Sequence, residues 1–460
     1  MEREVVAVLG IDLGTSSVKV VLLPDGHSHV RDTRAEVPSA AAPQGREQDV
    51  RKIIRALNEC LAAFPKQQLR RVTRIGVSGQ MHGVVFWKTG QACKWTESES
   101  GRMFEPAEVS HLVTWEDGRC SKEFLTSIPQ PQSHQSVATG FGCATIYWYL
   151  KNSPEFLERY NAAGTIHDYV VAMLCDLKHP RMSVQNATSW GYFNSRDKCW
   201  NADILRGSGF PVSLLPEIAE SGSTAGSTSC EWFSVPSGTE VGVALGDFQC
   251  SVYSCMTDTT DAVLNISTSA QLTFSMPSGF EPPETPNHRS ALAYFPYFDG
   301  NYLAVAASLN GGNVVATFVR MLTQWIAELG LDVPESTIYT QMIKAALLQS
   351  SPTLVINPTI FGERHAPDHL ASVSNIAATE LSLGHVTRAL CCGIIQNLHS
   401  MLSAQQLIES GVKRIVGSGS ALSRNEVLKQ EVEKAFPLPV VYRKDVNSAV
   451  GAAMVMLHRM

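Results

Sequence analysis

The N-terminal part of the chain alternates between short apolar runs and one stretch of helical periodicity. Val5–Leu9 and Val18–Leu23 are rich in β-branched residues and predict two strands joined by a tight turn. From Val50 to Phe64 the apolar residues recur at helical spacing, and Asp49 stands where a helix N-cap is expected. Val72–Trp87 predicts a strand, a glycine-broken loop and another strand. The pattern is typical of an α/β domain.

The strand–turn–strand pattern returns after residue 245. Asp261–Met276 predicts two strands around a Ser/Thr turn, with Thr268 placed 253 residues after Thr15. The segments that follow predict helices at Gly312–Leu329, Glu335–Leu348, Leu383–Met401, Asn425–Phe436 and Ser448–His458, and strands at Val412–Val416 and Leu438–Tyr442. We therefore predict two related α/β domains, residues 1–245 and 246–460, each opening with a hydroxyl-rich hairpin.

Two further segments carry local predictions. Lys94–Pro106 is polar and rich in Gly, Ser and Glu, which predicts a loop. The small residues of "SAVGAAM", from Ser448 to Met454, predict a helix that packs closely against its neighbours.

Composition and charge exclude several classes of function. The chain has 460 residues, 44% hydrophobic, and a net charge of −6 without a long basic run, so nucleic acid is an unexpected partner. No apolar run approaches the roughly 20 residues of a membrane helix, so no membrane partner is expected. The eleven cysteines follow no metal or disulfide pattern, and no secretory leader is recognisable, which favours the reducing cytoplasm. The sequence leaves the oligomeric state open.

The turn of the first hairpin has the chemistry of a phosphate site. Gly14 allows a ligand close to the backbone N–H groups, and Thr15 and Ser16 add small hydroxyl donors. Asp12, at the base of the turn, matches the few carboxylates that nucleotide-bound Mg²⁺ requires. The alternative is that such turns are common and that Asp12 merely ends a strand.

Ser267 and Thr268 form the corresponding turn of the second hairpin. The later loop of Gly417, Gly419 and Ser420 follows a strand and opens a helix, where a flat or anionic ligand is accommodated; the alternative is a plain connection. The Walker A pattern is absent, and no GxGxxG follows the first strand, so neither a P-loop nor a dinucleotide fold is expected.

Asp247 follows an apolar run in "VALGDFQ". This position suits either a helix cap or a general base. Phosphoryl transfer to an alcohol uses such a base to take the hydroxyl proton while donors hold the phosphates.

Taken together and in order, eight segments resemble the FGGY carbohydrate kinases, members of the superfamily of actin, hexokinase and the heat-shock ATPases. The similarity extends over nearly the whole chain. The segments are Gly10–Val20, Gly76–Phe86, Thr114–Arg119, His167–Val170, Leu245–Asp247, Ile266–Ser269, Phe361–Asp368 and Gly417–Asn425.

The resemblance implies an α/β fold of two actin-like (ribonuclease H-like) lobes around a central cleft. It also implies ATP and Mg²⁺ as cofactors and a ketose as substrate, with sedoheptulose favoured, phosphorylated at C7 for the non-oxidative pentose phosphate pathway. The implied roles are Asp247 as general base in contact with the sugar; Asp12 for the metal; Gly14, Thr15, Ser16, Ser267 and Thr268 for the phosphates; Gly417, Gly419 and Ser420 for adenosine; and Gln80, Met81 and His82 for the sugar.

Other functions and roles remain open at this point. A xylulose or ribulose kinase, an ATP-driven chaperone-like machine and an inactive sugar sensor are the rival functions. Ser267 and Ser418 replace glycines usual in the family, and serine tolerates positive φ less well, which bears on the nucleotide geometry. The late Arg-Gly usual in the family is also missing from the segment that begins at Phe361.

Several residues of the family segments also have a structural alternative. His82 has an alternative as a surface histidine, Met81 as a core residue and Gln80 as a brace of its loop. Trp115, Asp117 and Arg119 suit an internal ion pair under an aromatic lid, and Glu363 and Arg364 suit a structural pair.

Overall fold

Two mixed β-sheets with the same central strand order organise the protein, whose computed structural model describes residues 7–350, 353–444 and 446–459. In each sheet, three antiparallel strands are followed by two parallel ones, and one further strand extends an edge. This repeated order agrees with the predicted pair of related α/β halves. The division at residue 245 stays a prediction.

The strands of both sheets are best given in spatial order. The N-terminal sheet contains Thr224–Ser227, Glu240–Gly242, Val72–Gly79, Ala7–Leu13, Ser17–Leu23 and His27–Asp32, with Leu245–Gly246 also paired to Val72–Gly79. The C-terminal sheet contains Leu292–Pro296, Tyr302–Ser308, Ala270–Ser275, Asp261–Ile266, Arg414–Ser418 and Val440–Tyr442. The first hairpin is Ala7–Leu23 and the second hairpin is Asp261–Ser275.

Two short helices lie between the sheets. The base helix, Asp247–Cys255, packs Val252 and Cys255 on the C-terminal sheet. The final helix, Ser448–His458, packs its small residues on the N-terminal sheet. The two helices touch where a Cβ on Gly451 would lie 1.8 Å from the carbonyl oxygen of Cys250. This contact confirms the close packing predicted from the small residues.

The remaining elements flank the sheets or build the outer part of the N-terminal half. The other helices are Val50–Ala62, Lys66–Leu69, Lys122–Ser127, Gly142–Asn152, Pro154–Leu157, Ile166–Cys175, Val184–Trp190, Ala202–Gly207, Gly312–Glu328, Glu335–Leu347, Leu383–Met401, Ala404–Glu409, Ser420–Arg424 and Glu426–Ala435, with 3₁₀ turns at Val212–Leu214 and Ala378–Glu380. The small sheets pair Glu36–Pro38, Arg46–Gln48 and Leu112–Val113; Val85–Trp87 with Ala162–Gly164; Cys93–Ser98 with Gly101–Pro106; Arg181–Ser183 with Glu217–Ala219; Phe193–Asn194 with Cys199–Trp200; and Val355–Asn357 with Ser372–Ser374.

The predicted N-cap is confirmed, because the Asp49 side chain accepts a hydrogen bond from the Arg51 backbone N–H at 2.9 Å. The predicted loop Lys94–Pro106 is wrong, since its residues belong to a two-stranded hairpin. Polar residues cover its outer positions, while Trp95 contacts the buried Phe104 ring, with ring centroids 5.5 Å apart. Of the first predicted strand, residues 5 and 6 lie outside the described part of the chain.

Among the described residues, none of the helices combines the length and hydropathy that a membrane span needs.

Candidate active site

Two half-buried carboxylates meet where the first hairpin approaches the base helix. The Asp12 Oδ1 accepts a hydrogen bond from the Ser78 hydroxyl at 3.1 Å, and the Asp247 Oδ1 accepts one from the Phe248 N–H at 2.7 Å. Burial raises the pKa of Asp12 to about 6, although Ser78 and Lys19 oppose the shift. Burial also raises the pKa of Asp247 to about 7, and the charge of Asp12 adds to this rise. Such a pair favours a bound proton or a cation.

Asp247 faces a cavity of about 280 Å³ between the base helix and the C-terminal sheet. The cavity is lined by Asp247, Phe248, Ser251, Val252, Val263, Asn265, Gln271, Thr273 and Ser448. Asn265 precedes Ser267 as Asp12 precedes Gly14, so the two hairpins present an amide and a carboxylate at corresponding positions. The predicted base therefore borders a cavity next to the polar Asn265 side chain.

The turn of the first hairpin is fixed both internally and from outside. The Gly14 N–H donates to the Ser17 carbonyl at 3.0 Å. The Thr15 hydroxyl accepts from the Trp115 indole N–H at 3.0 Å, and the Thr15 carbonyl accepts from the Gln48 amide at 2.7 Å. Ser16, at the tip, is exposed. The turn thus keeps one conformation while its tip faces solvent.

The second hairpin lies directly against the predicted adenosine loop. The Ser420 N–H donates to the Ser267 hydroxyl at 3.3 Å, and the Asn265 amide donates to the Ser418 hydroxyl at 3.1 Å. Gly419 has φ +101°, and a Cβ there would lie 2.4 Å from the Ile266 carbonyl oxygen, so only glycine fits. The structure therefore brings together the second hairpin and the loop that starts at residue 417.

The serines that replace family glycines do not strain the backbone. Neither Ser267 nor Ser418 is among the described residues with positive φ. Their hydroxyls instead supply the two hydrogen bonds that join the second hairpin to the adenosine loop. Thr268, at the tip of this hairpin, is exposed like Ser16. The expected conflict with positive φ does not arise.

The predicted sugar-binding segment is packed beside Asp247. Met81 is buried, and a Cβ on Gly246 would meet its sulfur at 2.7 Å. Gln80 is only 2% exposed and donates to Gln48 at 3.0 Å, so its side chain braces the first hairpin. His82, the next residue of the segment, is half-buried.

His82 presents one free ring nitrogen. Its Nδ1 lies 2.8 Å from the Ser189 carbonyl oxygen, which only accepts, so Nδ1 carries the proton and Nε2 is left as an acceptor. The ring stacks on Phe141 with centroids 4.4 Å apart, and burial lowers the pKa of His82 to about 4. Arg364, from the C-terminal half, lowers this pKa further. His82 also has φ +72°, an unusual conformation that often marks a functional position.

Asp117 and Arg119 form the predicted internal ion pair. Their side chains are buried, and Arg119 Nε donates to the Asp117 carboxylate at 2.8 Å. The guanidinium lies under Trp148 and Tyr149, with its carbon 5.2 and 5.1 Å from the ring centroids. The predicted aromatic cover therefore exists, but Trp115 is not part of it.

The suggested pair of Glu363 and Arg364 does not form. Glu363 is buried and accepts from Ser308 at 2.6 Å, Asn310 at 2.9 Å and Asn397 at 2.8 Å, whereas Arg364 is exposed. No ion pair joins the two within the described residues. Neutral donors satisfy the Glu363 carboxylate, so Arg364 does not pair with it and its charge acts on His82 instead.

Sequence reasoning assigned no role to Gln48 or Ser78, and it did not pair Trp115 with the hairpin. Gln48 and Ser78 are polar residues in buried strands, which is the signal that their side chains require a partner. Their hydrogen-bond partners come from distant parts of the chain. The sequence therefore indicates that each residue needs a partner, but not which residue supplies it.

Comparison with known proteins adds sequence and fold relatives. The model of the FGGY family of carbohydrate kinases, N-terminal domain, matches residues 7–254. The sedoheptulokinase of Homo sapiens is 67% identical over 98% of this chain and 97% of its own length. The solved xylulose kinase of Rhodospirillum rubrum is 18% identical and superimposes with a TM-score of 0.78 over 98% of this chain and 89% of its own. The solved glycerol kinase of Plasmodium falciparum with ADP is 17% identical, with a TM-score of 0.75 over 98% and 88%. The two structures confirm the predicted actin-like fold.

Proposed function

Since the chain belongs to the FGGY family of carbohydrate kinases, we propose that it transfers the γ-phosphoryl group of ATP to sedoheptulose, giving sedoheptulose 7-phosphate and ADP. The observation that carries this function is the 67% identity to a sedoheptulokinase over 98% of the chain. The carboxylate of Asp247, at the edge of the cavity between the base helix and the C-terminal sheet, supplies the chemistry.

Asp247 is the proposed general base. Its carboxylate takes the proton from the C7 hydroxyl as that oxygen bonds to the γ-phosphorus, and the bond from this phosphorus to the β-bridging oxygen breaks to release ADP. A pKa of about 7 places Asp247 close to the operating pH, where a base combines sufficient ionisation with basicity. General-base catalysis contributes about 10²- to 10⁴-fold to such reactions.

The two exposed turn tips are the proposed phosphate holders. Thr15 and Ser16 provide backbone N–H groups and hydroxyls on one side, where Gly14 allows close approach, and Thr268 with the Ser267 hydroxyl provides them on the other. Donors fixed before the substrate binds stabilise the developing charge without reorganisation. The adjoining Gly417, Gly419 and Ser420 form the proposed adenosine contact.

The donor set around Asp12 fits a nucleotide-bound magnesium ion. Mg²⁺ keeps several waters and takes one or two protein carboxylates, and Asp12 and Asp247 offer two in one partly buried corner. Asp12 is the proposed holder of the ion, which when bound would neutralise charge on the phosphates. Among the described residues, no group of three or more His, Cys, Asp or Glu side chains forms a dedicated metal site.

The sugar lies, in this proposal, between His82, Met81 and Asp247, with Gln80 behind them. The His82 Nε2 accepts a hydrogen bond from a sugar hydroxyl, since the imidazole is neutral near pH 7. Closure of the two lobes, residues 1–245 and 246–460, would align the C7 oxygen and exclude water as a competing acceptor.

The metabolic setting is also part of the proposal. The product would enter the non-oxidative pentose phosphate pathway, and the site of action would be the cytoplasm. All eleven cysteines are free thiols, which is the usual state in that reducing compartment.

ADP release by the purified protein tests the function. We expect turnover with sedoheptulose to exceed that with xylulose, ribulose and glycerol, and Asp247→Asn to lose turnover by about 10² or more while remaining folded. A preference for xylulose or ribulose would assign a different ketose kinase. ATP hydrolysis without sugar dependence, stimulated by peptide, would instead indicate a chaperone-like machine.

A further inference from the structure

The tip of the first hairpin is held at two points by residues outside it. Trp115 donates to the Thr15 hydroxyl, and Gln48 donates to the Thr15 carbonyl. Gln48 is only 2% exposed, so its amide gives up water entirely for these contacts. Burying an amide without hydrogen bonds costs free energy. The folded protein therefore keeps the bond from Gln48 to the Thr15 carbonyl.

The orientation of the Gln48 amide is unambiguous. A carbonyl only accepts, so the Gln48 Nε2 faces Thr15 and the Gln48 Oε1 faces away from it. The Gln48 Oε1 accepts from the Gln80 Nε2 at 3.0 Å. The Gln80 Nε2 also lies 3.4 Å from the Gly14 carbonyl oxygen. The four residues close a ring of hydrogen bonds between the hairpin turn and the predicted sugar segment.

The strand that carries Gln48 has a rigid support. Gln48 ends the short strand Arg46–Gln48, which pairs with Leu112–Val113. The preceding Glu47 accepts from the buried Arg119 at 2.7 Å. Gln48 is therefore held by the same ion-paired segment that carries Trp115, which follows the strand Leu112–Val113 by two residues.

The other end of the ring lies in the proposed sugar segment. The Gln80 N–H donates to the Leu13 carbonyl at 2.9 Å, and two residues later His82 has φ +72° and holds the Ser189 carbonyl through its Nδ1. A shift of this segment on sugar binding must therefore stretch the bond from Gln80 to Gln48, or move the turn that holds Thr15.

We propose that Gln48 is a positioning residue that couples sugar binding in the Gln80–His82 segment to nucleotide binding at the Gly14–Thr15 turn. This role rests on the proposed function, because it requires that the two substrates bind at these two places. Gln48 itself is buried behind the turn, so the proposal places it in contact with neither substrate.

Calorimetric titration of a non-hydrolysable ATP analogue with Mg²⁺, with and without saturating sedoheptulose, tests the coupling. For the native protein we expect sugar to tighten nucleotide binding by at least about fivefold, the low end of typical coupling between sites. Gln48→Met keeps the shape of the side chain but removes its hydrogen bonds. In this variant we expect saturating sedoheptulose to change the nucleotide Kd by less than about twofold, while sedoheptulose itself still binds. Gln68→Met, at a half-buried glutamine bonded to His27 away from the cleft, is the matched control and should retain the native coupling.

A second variant decides the matter should Gln48→Met fail to fold. Gln48→Glu keeps the size of the side chain and the acceptor for Gln80. It replaces the amide donor with a carboxylate oxygen that faces the Thr15 carbonyl oxygen, so this variant should also lose the coupling. Native coupling in either folded variant, or no sugar effect in the native protein, would overturn the role of Gln48. Absence of sedoheptulose binding or phosphorylation by the native protein would instead contradict the proposed function.

Discussion

Asp12 and Asp247 share one partly buried corner between the first hairpin and the base helix, where burial raises the pKa of Asp247 and the charge of Asp12 adds to this rise. Asp12 is the penultimate residue of the strand Ala7–Leu13, and Asp247 begins a helix more than 230 residues later. The sheet and the helices between the halves bring them together. Their unequal partners, Ser78 for one and a backbone N–H for the other, suit them to different roles, a metal holder and a base.

Activity should fall at low pH. Asp247 acts as a base only when ionised, and its pKa is raised to about 7, so the rate should drop as the pH falls through this value. The measurement is kcat/KM for sedoheptulose between pH 5 and pH 9, which reports ionisations before the sugar binds. His82, with a pKa near 4, should contribute no step in this range. A profile that is flat from pH 5 to pH 8 would contradict the assignment of Asp247.

Asp247→Asn should stabilise the ligand-free protein at high pH. A raised carboxyl pKa means that the folded chain binds more protons than the unfolded chain between the ordinary value of 3.8 and about 7. The wild-type free energy of unfolding should therefore decrease as the pH rises through this window. At pH 8 the variant should be more stable by on the order of 4 kcal/mol, with the difference vanishing near pH 4.

Urea unfolding of both proteins at pH 8 and pH 5 measures this difference. Asp25→Asn, in an exposed turn, is the control and should show no such dependence. Equal stability of wild type and Asp247→Asn at pH 8 would show that the Asp247 carboxylate is not held in a costly environment.

His82→Asn should weaken sugar binding selectively. Asparagine tolerates the φ of +72° better than most residues, so the backbone is kept while the Nε2 acceptor is removed. Loss of one hydrogen bond of about 1–3 kcal/mol raises the sedoheptulose KM about 5- to 100-fold, with the ATP KM nearly unchanged. Steady-state kinetics beside His179→Asn, at an exposed histidine, measures the effect. An unchanged sedoheptulose KM would remove His82 from the sugar site.

Gly451→Ala should destabilise the contact between the two central helices. Its Cβ would lie 1.8 Å from the Cys250 carbonyl oxygen, so the base helix has to move, at a cost of about 1–3 kcal/mol or more. Because that helix begins with Asp247, kcat should fall as well. Gly207→Ala, whose Cβ meets nothing within 4 Å, is the matched control for thermal unfolding and activity. Equal melting temperatures for the two variants would contradict this packing.

Local patterns were sufficient for the elements that carry most of the site. Short-range rules of residue pattern and helix capping can be applied to the sequence directly. They predict the hydroxyl-rich turns, the Asp49 cap and the bounds of the helices Leu383–Met401 and Ser448–His458. The order of motifs then indicated two similar halves, and the two matching sheets agree with it.

The sequence did not reveal contacts between residues that are far apart in the chain. The loop prediction for Lys94–Pro106 was wrong because a polar hairpin has the composition of a loop, and only its packing through Trp95 and Phe104 decides the outcome. Glu363 gave no sign that neutral Ser308, Asn310 and Asn397 would satisfy it in place of the adjacent arginine. The contact of Trp115 with Thr15 joins residues 100 positions apart, which no local pattern reveals.

A crystal structure with a non-hydrolysable ATP analogue, Mg²⁺ and sedoheptulose tests the central claim most directly. It should show the β- and γ-phosphates between the turns of Thr15 and Thr268, and the C7 oxygen within hydrogen-bonding distance of the Asp247 carboxylate. A nucleotide bound away from these turns, or an Asp247 side chain directed away from the sugar, would contradict the proposed mechanism.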